Sequence, residues 1–295
     1  MSAYNPSPPP CGRRQDYRDM VDDVDQLISL PSICLKIMNM LSDPHSTAKD
    51  IERVIVQDPP LTAQLLRMAN SPFYGLRSQV DSLSRAVSVI GTKRINNLVI
   101  AVSAIKSFNK LSNGIVSIEN FWQHSIYTGL IANILGQHSI IRQNDSIFIA
   151  GLLHDIGQLI IFNKRPDDVQ IALTLMQDSS SDTELYVYER EVMGFDHMQV
   201  GAELARRWLL PDNLITCIEY HHCPSLASDH HLEVALVYLA NRLAALAELN
   251  SIDLQDIPPI ATKMWEITGI SPNAVVEVLE QAQTQFESAQ SILLS

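Results

Sequence analysis

Glycine is scarce in this sequence, with 11 residues among 295, whereas 46% of the residues are hydrophobic. This hydrophobic content excludes an intrinsically disordered chain. The apolar residues recur at every third or fourth position rather than at every second one, which is typical of amphipathic helices. A chain of this length can bury a sizeable core, as one large domain or as two smaller ones. We therefore expect an all-α protein.

Basic residues are also scarce. The sequence has 21 Lys and Arg against 33 Asp and Glu, which gives a formal net charge of −12. Proteins that bind nucleic acid through bulk electrostatics carry a basic face. Nucleic acid is therefore not an expected partner.

Long apolar runs and targeting signals are missing from the sequence. No apolar run reaches the ~18 residues of a membrane-spanning helix without a polar break, and the N-terminus has no apolar signal-peptide core. The four cysteines form no paired framework, which suits a reducing compartment; they are Cys11, Cys34, Cys217 and Cys223. We expect no membrane partner and a cytoplasmic location.

Common catalytic and nucleotide-binding motifs are absent as well. The sequence contains no G-x-S-x-G nucleophile turn. It contains neither a G-x-x-x-x-G-K-[ST] loop nor a G-x-G-x-x-G loop. Nucleophilic catalysis and nucleotide binding of these types are therefore disfavoured.

Proline, polar loops and helix signals divide the chain into four segments. A Pro-containing flexible tail comes first, then an N-terminal helical subdomain, a second helical subdomain and a C-terminal helical extension. Their ranges are 1–24, 25–112, 113–250 and 251–295. Within the N-terminal subdomain, Thr47 and Asp50 predict a capping box, and Thr92 is predicted to cap a long helix. Lys93 and Arg94 follow in its first turn, as solvated charges or, alternatively, as an anion contact.

The C-terminal extension carries an apolar seam with alternating spacings of four and three residues. Its members are Val275, Leu279, Ala282, Phe286, Ala289 and Leu293. The seam would pack on the chain's own domain, or alternatively form a homodimer.

The chain is organised around an apolar stretch at 147–162, which we predict to be one buried helix. His154 and Asp155 lie side by side in its middle. A buried carboxylate is costly unless a metal ion or a buried hydrogen-bonding partner compensates it. Gly151 and Gly157 flank the pair and would let neighbouring helices come close.

Five of the nine histidines fall on or at the end of predicted helices among apolar residues. They are His124, His154, His197, His221 and His222. Together with Asp155 they form a candidate metal site, and imidazole with carboxylate suits Zn, Fe, Mn or Ni better than Ca. Adjacent ligands such as His221 and His222 would serve two ions, or one ion and one supporting contact.

These residues resemble the HD superfamily of metal-dependent phosphohydrolases, and the first half of the chain resembles the HDOD family, an HD-related output module of bacterial signalling. The motifs that carry the likeness are His124, His154-Asp155-Ile156-Gly157, Asp196-His197, His221-His222, Leu30-Pro31, Asp58-Pro59-Pro60-Leu61, Leu65-Leu66-Arg67-Met68-Ala69-Asn70-Ser71 and Ala86-Val87-Ser88-Val89-Ile90-Gly91. The likeness extends from about Val24 to Leu249. It implies an all-α bundle of HD type and a signalling role that acts on partner proteins.

The catalytic HD pattern is only partly kept. Asn241 stands where the resemblance implies a closing Asp, Gln158 where it implies a Lys, and Asn120 where it implies an acidic residue. Each change removes a charge that hydrolysis of a phosphate ester would use. The resemblance therefore implies metal binding more strongly than turnover.

Three hypotheses remain. The first is a non-enzymatic HDOD signalling module with protein partners, with or without a metal. The second is a metal-dependent phosphohydrolase that acts on a nucleotide or a cyclic dinucleotide. In the third, the buried polar residues satisfy each other without a metal, and Asp155 holds an imidazole charged.

Overall fold

The computed structural model describes residues 17–25, 30–43, 45–109, 117–139, 146–179, 183–249 and 259–295. Regular structure in these ranges is helical throughout, without a strand. The all-α prediction is therefore confirmed. The predicted boundaries at 112/113 and 250/251 lie outside the described residues.

The N-terminal helices pack on one another around their apolar faces. They are α2 (Ser32–Ser42), α3 (Ala48–Ile55), α4 (Pro59–Ala69), α5 (Leu83–Ile90) and α6 (Thr92–Phe108). Thr47 and Asp50 form the predicted capping box at the start of α3. The predicted Thr92 cap is corrected: Gly91 occupies the cap position with φ +90°, a conformation that glycine tolerates, and Thr92 is the first helical residue.

The second group of helices surrounds the central apolar stretch. It comprises α7 (Ile118–His138), α8 (Ile147–Leu153), α9 (Ile156–Lys164), α10 (Pro166–Asp178), α11 (Leu185–Met193), α12 (His197–Arg207), α13 (Asp212–Tyr220) and α14 (His231–Glu248). Helix α7 packs on α8 and α14, and α9 packs on α12. One hydrophobic core runs through both groups of helices.

The N-terminal end of the described chain differs from the expected flexible tail. Tyr17–Asp25 forms helix α1, which packs on α12 and α9. Met20 and Val21 are buried there, and the Arg207 side chain binds Asp22. Because these apolar side chains gain a buried surface, the tail prediction is corrected from Tyr17 onward; residues 1–16 lie outside the described residues.

The C-terminal part contains α15 (Thr262–Thr268) and α16 (Val275–Leu293). The whole predicted seam of α16 is buried, mainly against α7 and α4 of the same chain. Phe286 stacks on Tyr127 of α7 with ring centroids 3.8 Å apart. Gln64 of α4 donates to the backbone oxygen of Ile292 at 2.9 Å. Helix α16 therefore joins the two groups of helices, as the intramolecular alternative expects.

Among the described residues, Ile147–Lys164 is long and apolar enough to cross a membrane by length and composition alone. However, 83% of this stretch is buried inside the fold. Here it forms the interior pair α8 and α9.

Candidate metal centre

The central stretch is not one continuous helix. Helix α8 ends at Leu153, α9 begins at Ile156, and Asp155 between them has φ −101° and ψ 10°. In a continuous helix, adjacent side chains point about 100° apart. At this turn His154 Nε2 instead lies 3.2 Å from Asp155 Oδ2. The prediction of a single helix is therefore corrected, and the break brings both side chains to the same centre.

Glycines allow the helices that carry the site to approach closely. A Cβ at Gly151 would lie 2.8 Å from the backbone oxygen of Thr128 on α7. A Cβ at Gly157 would lie 1.9 Å from the backbone oxygen of His197 on α12. Real Cβ atoms are not found at such distances, so α9 reaches α12 only because residue 157 is glycine. The close approach expected at both glycines is confirmed.

Asp155 is the centre of the cluster. Its Oδ1 lies 3.3 Å from His197 Nε2 and 3.2 Å from His221 Nε2. The two imidazole nitrogens are 3.4 Å apart. All three side chains are buried, as is that of His154. Four helix ends thus deliver three imidazoles and one carboxylate to a single point.

The Nδ1 atoms of the three buried imidazoles, which point away from Asp155, all have hydrogen-bond acceptors. His154 Nδ1 lies 2.7 Å from the backbone oxygen of Gly151, and His221 Nδ1 lies 2.9 Å from that of Ile218. His197 Nδ1 lies 2.7 Å from Glu189 Oε2. A neutral imidazole that donates from Nδ1 presents a lone pair at Nε2. All three Nε2 atoms face the Asp155 carboxylate, where a ring that is neutral can offer its lone pair to a metal ion.

The two remaining histidines close the cluster from opposite sides. His124 on α7 has Nδ1 2.6 Å from Glu248 Oε1 and Nε2 3.0 Å from Asn241 Oδ1. On the other side, His222 Nδ1 contacts the carboxylate of Glu184, which also binds Arg242. The His222 ring stacks on Tyr186 with centroids 5.1 Å apart.

Solvent reaches the cluster at these two edges. The side chains of His124 and Glu248 are 25% and 31% exposed, and those of His222 and Glu184 are 14% and 30% exposed. His154 and His221 are fully buried. The polar side chains at these two edges of the cluster are thus partly exposed.

Burial and charge shift the titration of the central groups in different directions. Burial would raise the pKa of Asp155, but the surrounding imidazoles of His154, His197 and His221 outweigh it and hold the pKa well below its usual value. Burial would lower the pKa of His197, yet the charges of Glu189 and Asp155 raise it well above its usual value. For His221, burial and the neighbouring His222 lower the pKa well below its usual value. The centre therefore favours a carboxylate with at least one neutral imidazole.

The donor set fits a divalent transition metal. Among the described residues, Asp155 Oδ1 and His154 Nε2 are buried without a hydrogen bond of good geometry, although both face ring nitrogens or carboxylate oxygens. Two groups place their ligand atoms within 4.8 Å of one another, and Asp155 belongs to both. They are Asp155 with His197, His221 and His222, and Asp155 with His124 and His154. The structure thus brings together all six residues selected from the sequence.

Three carboxylates in the site were not found from the sequence. Glu184, Glu189 and Glu248 each hold the Nδ1 side of a different histidine. A glutamate gives no local signal of such a contact, because the partner comes from another part of the chain. Two of the positions where the resemblance implies a charged residue differ in their place in the structure. Asn241 lies against His124, whereas Asn120 is exposed in the first turn of α7.

The helical fold and the His/Asp centre define a protein of the HD-like class. The chain belongs more narrowly to the HDOD domain family, whose family model matches residues 27–224. The family expected from the sequence motifs is therefore confirmed.

One curated relative matches most of this chain. The chain is 26% identical over 278 residues to an uncharacterized protein of Treponema pallidum (strain Nichols), covering 92% of this chain and 52% of the relative. The chain thus spans about half the length of that curated relative.

Two solved structures share the fold. A candidate phosphohydrolase from Shewanella amazonensis has a TM-score of 0.75 at 23% identity, with 94% of this chain and 98% of the other covered. An HDOD domain protein of unknown function from Geobacter sulfurreducens has a TM-score of 0.75 at 24% identity, with 94% and 96% covered. At these identities the likeness concerns the fold.

Proposed function

We propose that this protein is an HDOD signalling module of bacterial type that binds a divalent transition metal at the His/Asp centre and acts through contacts with partner proteins. The proposal rests on one observation above all. Each of the five clustered histidines has its Nδ1 against an acceptor. Outer-side acceptors of this kind fix the orientation of metal-binding histidines in proteins.

The ligands would be His154, Asp155, His197 and His221, with His222 and His124 completing the set on either side. Fe, Mn, Zn and Ni suit such nitrogen and carboxylate donors. When bound, a metal of this kind supplies Lewis acidity and an activated water. Glu189 orients the His197 ring, and Glu184 orients that of His222.

The surroundings of the centre favour binding over turnover. At the position of the expected closing Asp, the neutral amide of Asn241 contacts His124 Nε2 at 3.0 Å. Gln158 brings no cation to neutralise a phosphate. Arg242 on α14 is positively charged, but its side chain is bound to Glu184. Non-catalytic signalling is therefore our first choice.

A thermal unfolding titration tests the metal. Protein stripped with chelator is mixed with Mn²⁺, Fe²⁺, Zn²⁺ or Ni²⁺ in turn. Because metal that binds only the folded state adds about 2.7 kcal/mol at 100 times its Kd, we expect a large rise in Tm with at least one of the four. If chelator and metals all leave Tm unchanged, the buried polar groups satisfy one another and the metal hypothesis fails.

A second candidate function is metal-dependent hydrolysis of a phosphate ester in a nucleotide or cyclic dinucleotide. The solvent-reachable edges at His124 and His222 favour it, because a substrate would need such access. The Shewanella amazonensis structure with this fold is also named as a candidate phosphohydrolase. Mn- or Fe-loaded protein is assayed on a panel of phosphodiesters beside the double variant His154→Ala, Asp155→Ala. Turnover by the wild type that is absent in the double variant would establish hydrolysis. No turnover above that variant would exclude it.

The signalling role implies protein partners and a cytoplasmic location, and the free cysteines among the described residues suit a reducing compartment. Affinity capture with the full chain, with and without metal, tests for a partner. Specific capture of one protein supports the role, and its absence under every condition would weigh against it. A homodimer through the C-terminal helix stays a prediction. It would have to use the outer face of α16, because the inner seam is buried.

A further inference from the structure

A cavity lies away from the His/Asp centre. It has a volume of about 150 Å³ and lies between the first turns of α6, the loop after α4, and helices α7 and α8. Phe148 contributes to its wall and lies six residues before His154, which is about 9 Å along a helix axis. None of the six candidate metal ligands lines this cavity. It lies where the N-terminal helices meet the second group, a frequent position for small-molecule sites.

One side of the cavity is aromatic. Phe73 lies against Phe148 with ring centroids 4.7 Å apart, and against Tyr74 at 4.8 Å. Phe73 and Tyr74 come from the loop after α4, whereas Phe148 comes from α8. Aromatic side chains of this kind favour a flat ring as a neighbour.

The other side is polar and carries one positive charge. Arg94 is in the first turn of α6, where backbone N–H groups also favour an anion. Asn133 and Gln137 are four residues apart on α7 and therefore share a face. Side-chain amides both donate and accept hydrogen bonds, so this side can form hydrogen bonds with the polar edge of a ring.

We infer that this cavity is a binding site for a small planar ring that has a hydrogen-bonding edge and an attached anionic group. The ring lies against Phe73 and Phe148, its edge meets Asn133 and Gln137, and the anion meets Arg94. A volume of about 150 Å³ is below the usual range of ligand pockets, roughly 300 Å³ and above. It therefore holds one ring system, with the anionic group at the mouth. Two sources share this chemistry, a nucleoside monophosphate and an aromatic carboxylate.

Calorimetric titration of the full chain tests the inference with two probes, adenosine 5′-monophosphate and nicotinate, each of which has a ring with a hydrogen-bonding edge and an anionic group. Ribose 5-phosphate, which lacks the aromatic ring, and adenosine and 3-pyridinemethanol, which lack the anion, serve as incomplete probes. We expect one of the two complete probes to bind more tightly than its incomplete counterparts. Arg94→Ala should weaken that binding about tenfold or more, because hydrogen bonds to charged groups are worth roughly 1.5–3 kcal/mol.

Lys93→Ala is the matched control. Lys93 carries the same charge as Arg94 and is its neighbour in sequence, but its side chain does not line the cavity. Lys93→Ala should leave the affinity unchanged, whereas Asn133→Leu should reduce it. The affinity should also persist in His154→Ala, Asp155→Ala, or in chelator-treated wild-type protein if that variant does not fold. Failure of the metal proposal therefore leaves this inference standing.

The two probes distinguish the sources of the ligand. Tighter binding of adenosine 5′-monophosphate identifies the nucleotide, and tighter binding of nicotinate identifies the aromatic carboxylate. The inference is overturned if neither probe binds, if Arg94→Ala and Lys93→Ala behave alike, or if binding disappears only when the His/Asp centre is removed.

Discussion

Glu189 holds His197 through a single oxygen atom. Its Oε2 lies 2.9 Å from the backbone nitrogen of His197 and 2.7 Å from the Nδ1 of the same residue. Both side chains are about 1% exposed. The carboxylate therefore fixes the first turn of α12 and the direction of the ring, so that Nε2 faces Asp155.

Glu189→Gln is predicted to weaken metal binding by about 10–100-fold, the usual effect of losing a partner that orients a ligand. The amide keeps the size of the side chain but removes the charge that favours Nδ1–H. A competition titration with a coloured chelator measures the change. Glu191→Gln on the same helix is the control, because Glu191 is exposed. Equal affinities in the two variants would show that Glu189 does not support a metal ligand.

The sequence predicted the histidines and Asp155 of the centre, but not the glutamate that holds one of the histidines in place. The histidines and Asp155 were found because polar residues are conspicuous in apolar helices. Glu189 was missed because its contact with His197 depends on how α11 and α12 pack, which no local pattern records. The break at His154–Asp155 was missed for a similar reason: the apolar pattern continues across it.

The start of α3 was predicted well because Thr47 and Asp50 form a capping box, whereas the cap predicted at Thr92 was wrong. Helix α1 was not expected, because its sequence is polar apart from a few side chains. It forms where Met20 and Val21 find a buried surface on α9 and α12, which is a tertiary effect.

Gly157→Ala is predicted to destabilise the fold by ~3 kcal/mol or more, since its methyl group would overlap backbone atoms of His197 and Gly201. Because α9 and α12 would have to separate, the metal site should be lost as well. Denaturant unfolding measures the first effect and metal titration the second.

Gly136→Ala on α7 provides the control for that substitution. A Cβ at Gly136 would meet side-chain atoms only, the nearest at 3.5 Å. This variant should be neutral, or more stable by up to about 1 kcal/mol, because Ala is the better helix former. Equal destabilisation by the two substitutions would contradict the close approach of α9 and α12.

Phe286→Ala is predicted to lower the free energy of unfolding by about 3–5 kcal/mol. Phe286 is 8% exposed and stacks on Tyr127 within the same chain. The sedimentation coefficient of the folded protein should stay that of the wild type. Thr284→Ala, on the exposed face of α16, should change neither quantity. Dissociation of an oligomer by Phe286→Ala would instead place this seam between two chains.

Cys34 is predicted to resist alkylation in the native protein at pH 8. Burial raises the pKa of its thiol to about 11, although a hydrogen bond with Ser103 opposes the shift. The thiolate is the reactive form, and Cys223 is only half-buried. Iodoacetamide treatment followed by peptide mass analysis should find Cys223 modified well before Cys34. Equal rates would contradict the burial of α2.

The same thiol gives a pH dependence of stability. The folded pKa of Cys34 lies above the unfolded value of about 8.5, so the native state binds more protons in between. This contribution is complete below about pH 8.5 and is lost as the pH rises towards 11. Between pH 8 and 10 the wild type should therefore lose more unfolding free energy than Cys34→Ala. An identical loss in both proteins would contradict the raised pKa.

The metal content of freshly purified protein, measured by elemental mass spectrometry, tests the central claim most directly. The wild type is compared with His154→Ala, Asp155→Ala and with a control, His45→Ala, His231→Ala, which removes two exposed histidines outside the cluster. We predict at least one transition-metal ion per chain in the wild type and in the control, and none in the cluster variant. A folded, stable wild type without metal, or equal metal in all three proteins, would contradict the account.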